Sequence, residues 1–128
     1  MTQEIYDVII VGAGPAGSTA AKFIAEEGFK VLLIDKEKFP RNKPCGGALT
    51  RRVIERFPYM SKILQNIITS EKIFDGKIYS PSLKYSAKII SNKPLGFMVF
   101  RDQFDYELVK IAKNAGAEFY DTFHISDV

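Results

Sequence analysis

The sequence predicts a mixed α/β fold built on a parallel sheet. Two apolar runs, YDVIIV from Tyr6 and KVLLID from Lys30, have the composition of strands buried on both faces. Between them, GAGPAGSTAAKFIAEEG is a glycine-rich turn that opens into a helical pattern. Strand, turn, helix and strand in that order make a βαβ unit, whose right-handed crossover sets the two strands parallel.

The first helix is predicted to start at Pro15, whose missing N–H is not needed in a first turn. Ala16, Ala20, Phe23, Ile24 and Glu27 share a helical spacing, and Gly28 is a natural stop. Lys36 to Gly47 holds two prolines, two glycines and four basic side chains, and reads as a loop. It is longer than a plain connector needs, which favours a functional role. A helix is predicted from Ala48 to Phe57, with Leu49, Val53, Ile54 and Phe57 on one face, and Pro58 ends it. Met60, Ile63, Leu64, Ile67 and Ile68 suggest a second short amphipathic helix. KIFDGKIYS and LKYSAKIIS read as paired strands, giving a β-hairpin insertion, and GFMVF as a further short strand.

Asp102 is a good N-cap for the next helix, with Asp105 in its first turn. Phe104, Leu108, Ile111 and Ala112 form its apolar stripe, and Gly116 closes it. AEFYDTFHISDV begins as another strand and stops, so the sequence is expected to be truncated in mid-architecture. Residues 1–128 then read as the first part of one Rossmann-like domain, with its remainder and a substrate domain lying elsewhere.

Composition bounds the partners. The chain has 128 residues, a formal net charge of +3 and one cysteine. That charge is too weak to argue for nucleic acid. A single cysteine makes no internal disulfide, so a reducing, cytoplasmic setting is the default. The N-terminus has an acidic flank and a short apolar run, unlike a signal peptide. No apolar stretch is long enough to cross a membrane, so any membrane contact would be peripheral. His124 is the only histidine and no other ligand type clusters with it, so no metal site is expected.

Gly12, Gly14 and Gly17 form G-x-G-x-x-G in the context that gives the motif meaning. Gly12 permits the tight turn, Gly14 lets a pyrophosphate approach the backbone, and Gly17 lets the helix pack on the strand. The phosphates would sit at the helix N-terminus around Pro15 and Ala16, where free N–H groups and the dipole favour anions. Asp35 ends the second strand where a carboxylate can accept from ribose hydroxyls, which argues against a 2′-phosphate and leaves NAD and FAD open.

The stretch from Tyr6 to Leu49, with its K-P-C-G-G loop, and FRDQFDYELVKIAKNAGAE from Phe100 resemble the geranylgeranyl reductase family of FAD-dependent oxidoreductases. That family shares the fold of p-hydroxybenzoate hydroxylase. The resemblance implies FAD as cofactor and reduction of C=C bonds in a prenyl lipid or prenyl diphosphate. NAD(P)H or ferredoxin would be the external electron donor. It further implies that Cys45, Gly46, Gly47 and Ala48 line the flavin, that Arg101 reaches the cofactor, and that the backbone near Ile125 passes the adenine. Lys36 and Arg41 join this set with weaker claims. Cys45 is a candidate proton donor, since an ordinary thiol is protonated at neutral pH, although Arg41 and Lys43 nearby in the chain favour the thiolate. The plain alternatives are a Cys45 packed as a small apolar residue, and Arg101 and Arg41 as solvated side chains before a helix and on a loop. The fragment alone is expected to be inactive. Two rival functions remain: an FAD-dependent monooxygenase or halogenase of the same fold, and a non-catalytic nucleotide-binding module.

Overall fold

A computed structural model describes residues 4–67 and 70–126. In chain order the elements are β1 (Val8–Val11), α1 (Pro15–Glu26), β2 (Val31–Ile34), β3 (Ala48–Thr50), α2 (Arg51–Arg56), α3 (Tyr59–Asn66), β4 (Ser70–Ile73), β5 (Asp75–Tyr79), β6 (Ser86–Ile90), β7 (Gly96–Val99), α4 (Arg101–Asn114) and β8 (Glu118–Tyr120). They form two compact units, Met1–Lys43 with Arg101–Val128, and Pro44–Phe100.

The first unit contains the βαβ element. β1 pairs parallel with β2, Val8 opposite Val31 and Val11 opposite Ile34. β2 pairs parallel with β8, so the order is β1-β2-β8. α1 and α4 pack with this sheet around Ala13, Ala21, Ala25, Val31, Leu33, Phe39, Val109, Ala112 and Ala117. Small residues on α1 permit that closeness, and they define its buried face as Ser18, Ala21 and Ala25. The expected stripe is therefore rotated: Phe23 is exposed, because alanines fit a close helix packing that a phenylalanine would hold open. β1 also differs from expectation. Ile9 and Val11 are 58% and 62% exposed, so among the described residues only one of its faces is covered.

α4 starts one residue earlier than its predicted cap, at Arg101, which places Asp102 inside the first turn. Its buried face is Phe104, Asp105, Leu108, Val109 and Ala112, while Ile111 is only half-buried. Regular strand ends at Tyr120, and residues 121–126 follow without regular structure. Both His124 and Ile125 therefore lie past the strand rather than on it.

The second unit holds a three-stranded antiparallel sheet of order β3-β7-β4 and a separate two-stranded sheet of β5 and β6. Residues Ala48 to Thr50, predicted as the start of a helix, are strand β3 because β7 supplies backbone partners opposite them. Thr50 is the N-cap of α2, so the helix occupies only Arg51–Arg56. Met60, Ile63, Leu64 and Ile67 are buried as predicted, and Ile68 lies outside the described residues. Gly96 of β7 meets Leu49 so closely that an added Cβ would lie 2.4 Å from the Leu49 carbonyl oxygen. The predicted hairpin is present in β5 and β6, with every residue of both strands exposed.

Leu33 is fully buried at the centre of the first unit's core. Leu33→Ala is expected to destabilise the fold by about 2–5 kcal/mol, from lost transfer energy and the cavity left behind. A urea unfolding midpoint equal to wild type would show that this cluster does not hold the unit together.

Candidate functional site: a glycine turn flanked by buried charge

The turn between β1 and α1 is held at its base by two contacts from β2. The Gly12 N–H donates to the Ile34 carbonyl at 2.7 Å. The Ala13 N–H donates to Asp35 Oδ2 at 2.7 Å, and the Glu37 N–H donates to Asp35 Oδ1 at 2.9 Å. Asp35 is buried, and each of its oxygens already accepts one backbone donor. A carboxylate offers about four acceptor positions, so lone pairs remain for a further donor such as a ribose hydroxyl. The Asp35 backbone is also engaged: its carbonyl accepts from the Phe123 N–H at 2.9 Å. That bond brings the segment carrying Ile125, which is 37% exposed, beside the end of β2.

The glycines divide their work. Gly12 has φ +99°, a conformation that L side chains rarely adopt. At Gly17 a Cβ would lie 1.9 Å from the Gly12 carbonyl oxygen, so no other residue allows α1 this close to the turn. Ser18, buried one residue on, donates from Oγ to the Ala13 carbonyl at 3.1 Å. Pro15 opens the helix, and Ala16 follows it exposed. The N-cap is Gly14, without a side-chain cap, and no acidic residue stands in the first turn. An α-helix leaves its first N–H groups without intrahelical partners, and here no side chain of the cap competes for them.

Arg41 comes to this turn from the loop after β2. Its Nη2 lies 3.6 Å from where a Gly14 Cβ would stand. The side chain is 9% exposed, and its guanidinium carbon lies 4.8 Å from the centre of the Phe39 ring. Phe39 is itself fixed, edge-on to Phe119 at 5.4 Å and with its N–H donating to Asp121 at 2.8 Å. The loop is thus anchored at Phe39 and Arg41, while Lys36 is exposed.

Arg41 and Arg101 share one carboxylate, that of Asp105, whose side chain is 0% exposed. Arg101 grips it with two hydrogen bonds, Nε to Oδ1 at 2.8 Å and Nη2 to Oδ2 at 2.9 Å. Arg41 Nη1 stands 3.0 Å from Oδ2. The distance makes an ion pair, yet the direction does not make a hydrogen bond, and Nη1 is a buried nitrogen with no aligned acceptor. Neither arginine is the solvated surface side chain that its loop or helix-start position suggested. Asp105, read from sequence only as a first-turn acid, is the residue that joins them. Its spacing of four from Arg101 was the available signal, since such residues meet on a helix surface.

The remaining predicted residues lie in the second unit. Cys45 is exposed, and its Sγ accepts from the Gly47 N–H at 3.4 Å. Gly46 is exposed and Ala48 opens β3 opposite Met98. Gly47 is buried with φ +72°, and a Cβ there would lie 2.0 Å from the Val99 carbonyl oxygen. The loop glycine at this position therefore answers a backbone constraint within its own unit. No group of His, Cys, Asp and Glu that could hold a metal ion occurs among the described residues.

A glycine turn with a bare helix N-terminus, a buried acid at the end of the second strand and an arginine with an unaligned buried N–H fits an anionic dinucleotide. The family model for pyridine nucleotide-disulphide oxidoreductases matches residues 6–117. The chain belongs to this family. Among curated relatives, geranylgeranyl diphosphate reductase of Rhodobacter capsulatus is 42% identical, over 88% of this chain and 27% of its own length. Digeranylgeranylglycerophospholipid reductase of Thermoplasma acidophilum is 35% identical, over 91% of this chain and 30% of its own. The crystal structure of a geranylgeranyl bacteriochlorophyll reductase-like protein from Thermoplasma acidophilum superposes with a TM-score of 0.75 at 31% identity, covering 91% of this chain and 30% of that one. A halogenase crystallised with phloroglucinol and FAD gives a TM-score of 0.75 at 25% identity, over 95% of this chain and 29% of its own. The chain spans about a third of the length of these relatives, or less.

Gly17→Ala is expected to lower the thermal unfolding midpoint markedly, because the methyl would collide with a main-chain oxygen rather than a movable side chain. An alanine variant as stable as wild type would mean that α1 does not pack this closely on the turn.

Proposed function

We propose that the chain is the dinucleotide-binding part of an FAD-dependent reductase that saturates C=C bonds in geranylgeranyl or related prenyl chains. The observation that carries this reading is the glycine turn with Asp35 hydrogen-bonded across it, in a chain 42% and 35% identical to two prenyl reductases. Asp35 would receive the adenosine ribose on its spare lone pairs. The backbone at Gly14 to Gly17 and the start of α1 would receive the pyrophosphate. Arg101 would add a guanidinium to the cofactor's polar portion, and the backbone near Ile125 would border the adenine. When bound and reduced, FAD supplies a hydride to one carbon of the double bond. The second carbon takes a proton, which we assign to the Cys45 thiol, itself exposed and able to recover a proton from water. Each turnover consumes two electrons, so NAD(P)H or a ferredoxin must restore the reduced cofactor. Gly46, Gly47 and Ala48 would present backbone rather than side chains to the flat flavin ring.

The test uses the full-length protein with FAD, a reductant and geranylgeranyl diphosphate or a digeranylgeranyl lipid, read by mass spectrometry. The expected product gains two hydrogens per saturated bond. Substrate recovered unchanged in both cases, with FAD bound, would overturn the prenyl reductase reading. The structural likeness to a halogenase favours one second reading, oxygen-dependent halogenation or hydroxylation of an aromatic. Substrate-coupled oxygen consumption would support it.

Cys45→Ala is expected to leave FAD binding intact and to lower turnover about a hundredfold, the range of a single positioned proton donor. Turnover within a factor of two of wild type would remove Cys45 from the chemistry.

A further inference from the structure

We propose that Asp105 is a positioning residue for the cofactor's phosphates: its buried carboxylate takes Arg41 Nη1 and so holds Nη2, the nitrogen beside Gly14, where it can donate to a phosphate oxygen. The proposal rests on the FAD reading above, adds Asp105 to the site and gives Arg41 a stated role in it.

The argument starts from what each group lacks. A buried guanidinium nitrogen without an aligned acceptor is costly, and native structures leave few such groups unexplained. Arg41 Nη1 is one, although Asp105 Oδ2 is only 3.0 Å away. That oxygen already accepts from Arg101 Nη2 at 2.9 Å. Asp105 therefore satisfies Arg101 with a two-pronged hydrogen bond and offers Arg41 attraction without direction. The ion pair engages Nη1, retains Arg41 at the turn and leaves the Nη2 edge beside Gly14 for another acceptor. The neighbouring surroundings say what that acceptor is. Arg41 Nη2 lies against Gly14, the N-cap of a helix with no acidic first turn. Both the helix terminus and the guanidinium favour an anion there. A phosphate oxygen meets both requirements at once.

Position matters as much as charge. Arg41 sits on a loop, and a long side chain loses rotamer freedom when it is fixed. Asp105 meets that cost before ligand arrives, because α4 carries the carboxylate and the Phe39 ring also contacts the guanidinium. Without the negative charge two guanidiniums would face each other in a site shielded from water, and Arg41 would leave the turn.

The experiment titrates the full-length apoprotein with FAD and, separately, with riboflavin, which has the flavin ring and no phosphate. Asp105→Asn and Arg41→Gln are each expected to raise the Kd for FAD about ten- to a hundredfold, the value of a charge-assisted hydrogen bond. The Kd for riboflavin should move less than about twofold. In the Arg41→Gln background, Asp105→Asn should add little, because both changes remove the same contact. Equal losses for FAD and riboflavin, or additive losses in the double variant, would overturn the proposal. Wild-type FAD binding with both variants unchanged would overturn it while sparing the FAD reading. A wild-type protein that binds no FAD would overturn both. Should Asp105→Asn fail to fold, Arg41→Lys decides the question. It keeps the charge and loses the fork, so a selective loss for FAD supports the assignment and an unchanged Kd refutes it.

Discussion

The Asp35 residue ties together the glycine turn, the loop after β2 and the segment after β8. It is buried at the end of β2, and its two oxygens bind the Ala13 N–H on one side and the Glu37 N–H on the other. One bond holds the glycine turn in shape and the other directs the chain into the loop that carries Phe39 and Arg41. Asp35 also receives the Phe123 N–H on its backbone carbonyl. Three separate stretches are therefore registered to a single residue. A hydrogen bond from a backbone N–H to a carboxylate is stronger than a neutral one, and burial strengthens it further. The same charge that would recognise a ribose is the charge that shapes the turn around it.

A second buried carboxylate repeats the arrangement at a different scale. Asp105 takes two guanidiniums that approach from α4 and from the loop after β2. Buried ion pairs are weak evidence for stability, since desolvation offsets most of the attraction. Their use here is better understood as geometry. One carboxylate fixes Arg101 by a two-pronged hydrogen bond and keeps the Arg41 guanidinium beside Gly14.

What the sequence made legible was local. The βαβ unit, the glycine turn and the acid at the end of β2 are encoded within thirty or so contiguous residues, and the structure contains all of them. The parts that were not legible depend on distant chain. Ala48 reads as helix until Met98, far along the sequence, pairs with it as strand. Periodicity alone put Phe23 on the inner face of α1, whereas the approach of α4 selects the alanines. Arg41 reads as a solvated loop residue because nothing near it in sequence announces Asp105. Burial of charge is a property of tertiary packing, and a lone sequence carries it only as a hint such as the Arg101–Asp105 spacing.

The β5–β6 hairpin carries a consequence for motion. Its register sets Gly76 and Ile78 opposite Ile89 and Ala87 on one face, with Asp75, Lys77 and Tyr79 opposite Ile90, Lys88 and Ser86 on the other. All ten positions are exposed, and an isolated two-stranded ribbon is marginal in water. The β1-β2-β8 sheet has helices packed on it and a buried core. The two sheets should therefore exchange their amide hydrogens on very different clocks. Hairpin amides would be replaced by deuterium early through local opening. Those of β2, flanked on both edges, would wait for the unit as a whole to unfold.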